Sequence, residues 1–172
     1  LKTGRVVDGA KSPSSDTATH LEIYHAFKEV GAVVHTHSRF ATVWAQALRP
    51  IPCYGTTHAD VFHGPMPLTR ILRQAEVSTD YEANTGRVIV AHFKKNNLDP
   101  MALPGVLAGG HGPFTWGADA DAAVKNAQLL EALAEMAYYT TQLKADCKGI
   151  PGFLCDKHYL RKHGPNAYYG QR

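Results

Sequence analysis

Ten histidines occur in the chain, and two of them, His35 and His37, stand one residue apart at the end of the apolar run "AVVHTH". In a strand, side chains two positions apart share a face, and a rise of about 3.3 Å per residue keeps them neighbours. Both imidazoles could therefore reach one ion. Imidazole nitrogen suits zinc and related divalent metals, with bonds near 2.0–2.1 Å. Two ligands hold a metal weakly, so the chemistry needs a third. His111 in "LAGGHGPF" is the best candidate, because it follows an apolar stretch and its flanking glycines allow a tight turn and close backbone approach. Three protein ligands with one position open is the pattern of a catalytic zinc site. The plain alternative is a set of histidines satisfied by ordinary hydrogen bonds.

Three further groups carry chemical potential. "KSPSSDT" places Ser14, Ser15 and Asp16 immediately before an amphipathic stretch. Hydroxyls at a helix start, with unpaired N–H groups and the helix dipole, make a seat for phosphate. Simple capping by the same side chains is the commoner use. "GTTHAD" ends on Asp60, a carboxylate able to act as general acid or base. "NAYYG" near the C-terminus offers Tyr168 and Tyr169, and a phenol can donate a proton to an oxyanion.

These residues need elements to hold them. "GRVV" (4–7) reads as a short strand entering a turn at Asp8-Gly9. Asp16 or Ser15 caps a helix in which Leu21, Tyr24 and Phe27 recur at helical spacing, closed by Gly31. Residues 32–37 read as a strand. Ser38 then caps a helix, "RFATVWAQAL", which Pro50 ends. "IPCYGTTHADVF" reads as a strand running into a polar loop. "TGRVIVAHFKKNN" fits either a helix or a strand. "PGVLAGGHGPFTWG" reads as a buried strand, a glycine turn and a second short strand. From Asp119 to about Leu143 the chain is a long helix, with Val124, Ala127, Leu130, Ala134 and Tyr138 along its core stripe. Strands and helices alternate irregularly, as in a layered α/β domain.

The totals narrow the class. At 172 residues the chain suits one domain with one core. Its 44% hydrophobic and 19% charged residues are ordinary for a globular protein, and a net charge of +3 gives no support to nucleic-acid or membrane-surface binding. The basic stretch "DKHYLRKHG" reads as a solvated helix face. No apolar run approaches the ~18 residues needed to span a bilayer. Cys53, Cys147 and Cys155 are odd in number and form no CxxC pair, which points to a reducing compartment such as the cytoplasm. The chain opens on "LKTGRVVDG" without a methionine, as though its natural start lay upstream.

Taken together, "SSDTATH", "HTHSRFATVWAQA", "GTTHAD", "PGVLAGGHGPFTWG" and "LRKHGPNAYYGQ" resemble the class II aldolase and adducin-head family along essentially the whole chain. The resemblance implies a three-layer α/β/α fold around a mixed, mostly antiparallel sheet, with part of the N-terminal segment lacking. It implies zinc, or another divalent transition metal, on His35, His37 and His111, with Asp16 at the metal or beside it. Ser14 and Ser15 become part of a phosphate seat. Asp60 and Tyr169 become acid/base residues on opposite faces of the substrate, with His158 near them. It also implies a homotetramer with sites between subunits, so that Tyr169 enters from a neighbour. The branch most resembled interconverts L-ribulose 5-phosphate and D-xylulose 5-phosphate by breaking and remaking C3–C4. Sugar-phosphate aldolases of the family place glutamate where Asp16 stands. An aldolase and a non-catalytic adducin-like interaction domain are the alternatives, and the latter would lack the metal histidines.

Overall fold

The computed structural model describes residues 9–10 and 12–169. Ten elements are present among them: α1 (Thr17–Ala26), β1 (Ala32–His35), α2 (Arg39–Gln46), α3 (Thr56–Ala59), α4 (Gln74–Val77), α5 (Tyr81–Lys95), β2 (Gly105–Ala108), β3 (Gly112–Gly117), α6 (Ala120–Leu143) and α7 (Gly152–His163).

The three strands form an antiparallel sheet in the order β1-β3-β2. His35 pairs with Phe114 and Ala32 with Gly117, so β1 ends level with the beginning of β3. A single parallel bridge, Leu68 to Leu107, extends the far edge of β2 and makes the sheet mixed but mostly antiparallel. Every residue of β2 and β3 is buried, as expected for strands covered on both faces.

Alternation along β3 sorts the layers. Trp116 faces one way, its ring centroid 5.6 Å from Phe27 and 5.3 Å from Phe93, which belong to the α1–α5 side. Thr115 faces the other way and its hydroxyl donates to the Ala123 carbonyl of α6 at 3.3 Å. Trp44 of α2 ties that second layer together by donating from Nε1 to Ala134 O at 3.0 Å. The result is a sheet between two helical layers. Full burial of each large side chain, such as Ile23, Ile89, Phe93, Trp116 and Leu130, contributes about 1.5–3 kcal/mol.

The first layer depends on a close crossing. Gly86 of α5 lies so near α1 that a methyl group there would stand 2.6 Å from Glu22 Cβ and 2.9 Å from the Thr19 carbonyl. The Thr19 hydroxyl completes the contact by donating to Glu82 O at 2.6 Å. In the second layer, Glu131 of α6 accepts the N–H groups of Phe40 and Ala41 at 2.8 and 3.0 Å. It thus satisfies two of the free donors at the start of α2.

Several expectations are revised. Ser38 precedes α2 but makes no side-chain cap, because Glu131 has taken that position. The stretch 51–62 forms only an isolated bridge at Ile51 and then α3, so Thr56–Ala59 is helix where a loop was expected. Residues 85–95 of the ambiguous segment lie in α5, whose length of 15 residues lets it bury Val88, Ile89 and Phe93 on one side. On α6 the buried positions are Ala123, Leu130, Leu133, Ala134 and Ala137, whereas Val124 is exposed. Leu130 and Ala134 of the expected stripe are buried and Ala127 and Tyr138 half-buried, while Ala123 is buried in place of Val124. "GRVV" lies outside the described residues. No described helix is long and apolar enough to cross a membrane.

Candidate metal centre and a second polar cluster

β1 delivers His35 to the end of the sheet, and the chain then leaves the strand, so His37 lies just beyond it rather than within it. The expected two-apart geometry is therefore modified: the rings meet nearly at right angles, with centroids 4.9 Å apart. The hairpin between β2 and β3 brings His111 to the same place. Gly110 makes that turn possible with φ of 74°, a left-handed conformation that suits glycine. Its N–H is anchored on Ala45 O at 2.9 Å.

The three imidazoles offer ligand nitrogens that all lie within 4.8 Å of one another. His35 Nε2 and His37 Nε2 are 3.1 Å apart. Two nitrogens on one tetrahedral ion, with bonds of 2.0–2.1 Å, would stand about 3.3 Å apart. His35 Nδ1 lies 2.9 Å from the Pro113 carbonyl. A carbonyl can only accept, so Nδ1 carries the proton and Nε2 is left with its lone pair toward the cluster. His35 also lies flat on Phe114, with ring centroids 4.0 Å apart, which fixes the ring's plane. His111 Nδ1 is buried and has no hydrogen-bond partner, an unsatisfied polar atom that calls for explanation. Converging lone pairs and this orphan nitrogen fit a divalent cation.

Electrostatics agree. Burial pushes His35 below its ordinary pKa, with His37 and His20 adding to the effect and the Pro113 bond and Asp16 opposing it. Burial likewise lowers His111, assisted by His35 and His37 and opposed by Asp16. Neutral imidazole is the form that binds metal. Asp16 Oδ2 stands 4.0 Å from His35 Nε2, and the two side chains are only 15% and 10% exposed. Asp16 precedes α1 yet makes no side-chain cap, which leaves its carboxylate available beside the imidazoles. The backbone N–H of Asp16 donates to Ser14 Oγ at 3.2 Å, while the Ser15 hydroxyl lies 3.5 Å from Asp16 Oδ2. Both serines are exposed at the start of the 10-residue α1.

Asp60, His158 and Tyr169 form a separate group. Asp60 Oδ1 accepts from His158 Nδ1 at 3.0 Å, and both carboxylate oxygens accept from Arg161 Nη2 at 2.9 Å. Lys162 Nζ is 3.1 Å from Oδ2. His163 Nε2 donates to the Asp60 carbonyl at 2.9 Å. Burial would raise the Asp60 pKa, but hydrogen bonds from His158, Lys162 and Arg161 outweigh it and hold the carboxyl below its ordinary value. Tyr169 lies under the Arg161 guanidinium, 4.8 Å from the ring centroid. The basic stretch read as a solvated face is thus half-buried at positions 158, 161 and 162, which share one helical face and turn onto Asp60.

The two groups sit at opposite ends of the sheet. His111 immediately precedes Gly112, whereas Asp60 borders a cleft of about 610 Å³ shared with Gly117, Ala118, Lys125, Lys162 and His163. Five steps along β3 separate those ends by about 17 Å.

Two further residues were not singled out from the sequence. Arg161 lay within a quoted basic motif, and its spacing of three from His158 was the available signal. Tyr81 opens α5 with its ring centroid 6.2 Å from that of His111. Burial, Asp16 and Glu82 raise its phenol, which keeps it a donor. No spacing in the sequence links Tyr81 to the histidines.

Residues 1–138 match the family model described as Class II Aldolase and Adducin N-terminal domain. Among solved structures, the chain is similar to an L-fuculose 1-phosphate aldolase at TM-score 0.68 and 19% identity, over 90% of this chain and 68% of that one. It is also similar to the L-fuculose 1-phosphate aldolase of Glaciozyma antarctica PI12 at TM-score 0.68 and 16% identity, over 95% of this chain and 59% of that one. A sugar-phosphate aldolase from Thermotoga maritima matches at TM-score 0.55 and 20% identity, over 85% of this chain and 60% of that one. At such identities the likeness is one of fold. The match over 138 of 172 residues, joined to the three-layer architecture and the histidine cluster, makes the chain a member of the class II aldolase and adducin domain family.

Proposed function

We propose that the protein is a metal-dependent epimerase interconverting L-ribulose 5-phosphate and D-xylulose 5-phosphate. The observation that carries this reading is the convergence of His35, His37 and His111 beside Asp16. Zinc on the three imidazoles would supply Lewis-acid stabilisation for negative charge developing at the substrate's carbonyl oxygen.

C4 is not adjacent to the carbonyl, so removing its hydrogen directly is unfavourable. Reversing an aldol avoids the problem. The Asp60 carboxylate takes the proton of the C4 hydroxyl, the C4–O bond becomes a carbonyl, and the C3–C4 electron pair passes to the ketone end. The glycolaldehyde phosphate formed turns over, its phosphate held by Ser14 and Ser15. C3 then attacks the opposite face and the Tyr169 hydroxyl donates the proton to the new C4 oxygen. His158 holds Asp60 in position. A carboxyl kept below its ordinary pKa is ionised at neutral pH, as a base must be.

Within one chain the metal cluster and the Asp60–Tyr169 group lie too far apart to share a pentose. A site assembled between neighbours in a homotetramer joins them, each subunit lending one group to the next. The separation along β3 supports this arrangement.

A second reading is favoured by the fold's likeness to aldolases acting on sugar phosphates: cleavage of a ketose 1-phosphate with release of both fragments. One assay distinguishes the two. Formation of D-xylulose 5-phosphate from L-ribulose 5-phosphate is followed with and without chelator. The epimerase reading expects chelator-sensitive turnover with no free aldehyde. Accumulating aldehyde would support the aldolase, and chelator-resistant turnover would overturn the metal's role.

A further inference from the structure

Arg161 touches both groups proposed to move protons. Its guanidinium holds Asp60 from two nitrogens, Nε at 3.2 Å from Oδ1 and Nη2 at 2.9 Å from each oxygen. The same guanidinium covers the Tyr169 ring. Its backbone carbonyl accepts the N–H groups of Tyr168 and Tyr169 at 2.9 and 3.1 Å. One residue therefore grips the carboxylate with its side chain and the C-terminal tail with its main chain.

We infer that Arg161 is the positioning residue that locks Asp60 and Tyr169 into one unit, so that the two are presented together to a substrate. The inference rests on the acid/base roles proposed above. Lysine could not substitute, because an ammonium is a point charge and lacks the planar fork that meets two oxygens at once. The neighbours of Asp60 divide the work. His158, Lys162 and His163 of α7 and Lys125 of α6 also face the carboxylate or its cleft, and Lys162 Nζ lies 5.2 Å from the Tyr169 ring centroid, but Arg161 is the one neighbour of Asp60 whose main chain accepts from Tyr168 and Tyr169.

The test uses the full chain with R161Q and R161K. Three quantities are read: steady-state kinetics across pH, bound zinc, and the titration of the Asp60 carboxyl carbon by NMR on aspartate-labelled protein, assigned with D60N. In R161Q the Asp60 midpoint should move upward, the acid limb of kcat/KM should follow it, and kcat should fall about 10- to 100-fold. KM and zinc content should stay near those of the unmodified protein. R161K should restore the carboxyl titration but not kcat, since charge returns without the fork. An unmoved Asp60 midpoint in R161Q, or full turnover in R161K, would overturn the inference. Should R161Q fail to fold, kcat of R161K decides alone. Absence of turnover on either substrate in the unmodified chain would sink the functional reading instead, and the carboxyl titration would still decide the role of Arg161.

Discussion

The two nitrogens of His35 have different duties. Nδ1 is held by the Pro113 carbonyl at 2.9 Å, and Nε2 is turned toward His37 and Asp16. Substituting His35→Asn removes a ligand and should strip the metal, lowering turnover by more than the ~10- to 100-fold that loss of a mere supporting residue costs. Elemental analysis of the purified variant checks it, and stoichiometric zinc there would mean the ligand set is wrong. Tyr169→Phe should behave in the opposite manner, losing about 10²- to 10⁴-fold in kcat while keeping its zinc. Normal turnover would remove the phenol from the reaction. The histidines were legible because metal binding constrains both residue type and local spacing. Asp60's partners were not, since they lie 98 and 101 positions away and a basic helix face looks the same whether it meets water or a carboxylate.

At the scale of elements, the outcome turned on which neighbour reached a helix end first. Glu131 caps α2 from 91 and 90 positions away, a contact that no local pattern announces. Glu131→Ala should cost about 1–2 kcal/mol, measured by urea unfolding, and should spare metal content. α3 presents a related case. Its His58 is buried with Nε2 donating to Gly64 O at 2.8 Å, and burial pushes it from 6.5 down to about 4. As pH falls, the unfolded chain takes the proton first. His58 should therefore lower stability from about pH 6.5 to about pH 4 and then no further, by roughly 3 kcal/mol in all. In His58→Gln the decline should become shallower by that amount, the remainder coming from other histidines lowered by burial, such as His35 and His111; an unchanged slope would exclude His58 as a source. The glycine hairpin at 109–110 and the long α6 were readable from composition and period. The exact inward stripe of α6 was not, because close approach to the sheet selected Ala123 over the bulkier Val124.

For the whole molecule, the decisive property is that the imidazoles and the Asp60–Tyr169 group occupy opposite ends of one sheet. If neighbours complete each other's sites, mixing two inactive variants should revive activity. His35→Asn and Tyr169→Phe chains, unfolded and refolded together in equal amounts, should regain about a quarter of normal turnover in a four-fold ring. Two such preparations mixed without subunit exchange should remain inactive. No recovery after verified exchange would mean that each chain works alone. Architecture at this scale was only partly open to pattern reading: alternation of helices and strands indicated layers, but strand order and pairing arise from contacts distant in sequence.

The crossing at Gly86 reaches further than its location on an outer helix suggests. Because α5 can press against α1 there, the first turn of α1 is held at a set depth, and with it the carboxylate of Asp16. Any side chain at position 86 would act as a shim, lifting that turn away from the imidazoles. The tuning of this centre is thus entrusted partly to a missing methyl group one to two helical turns from Asp16.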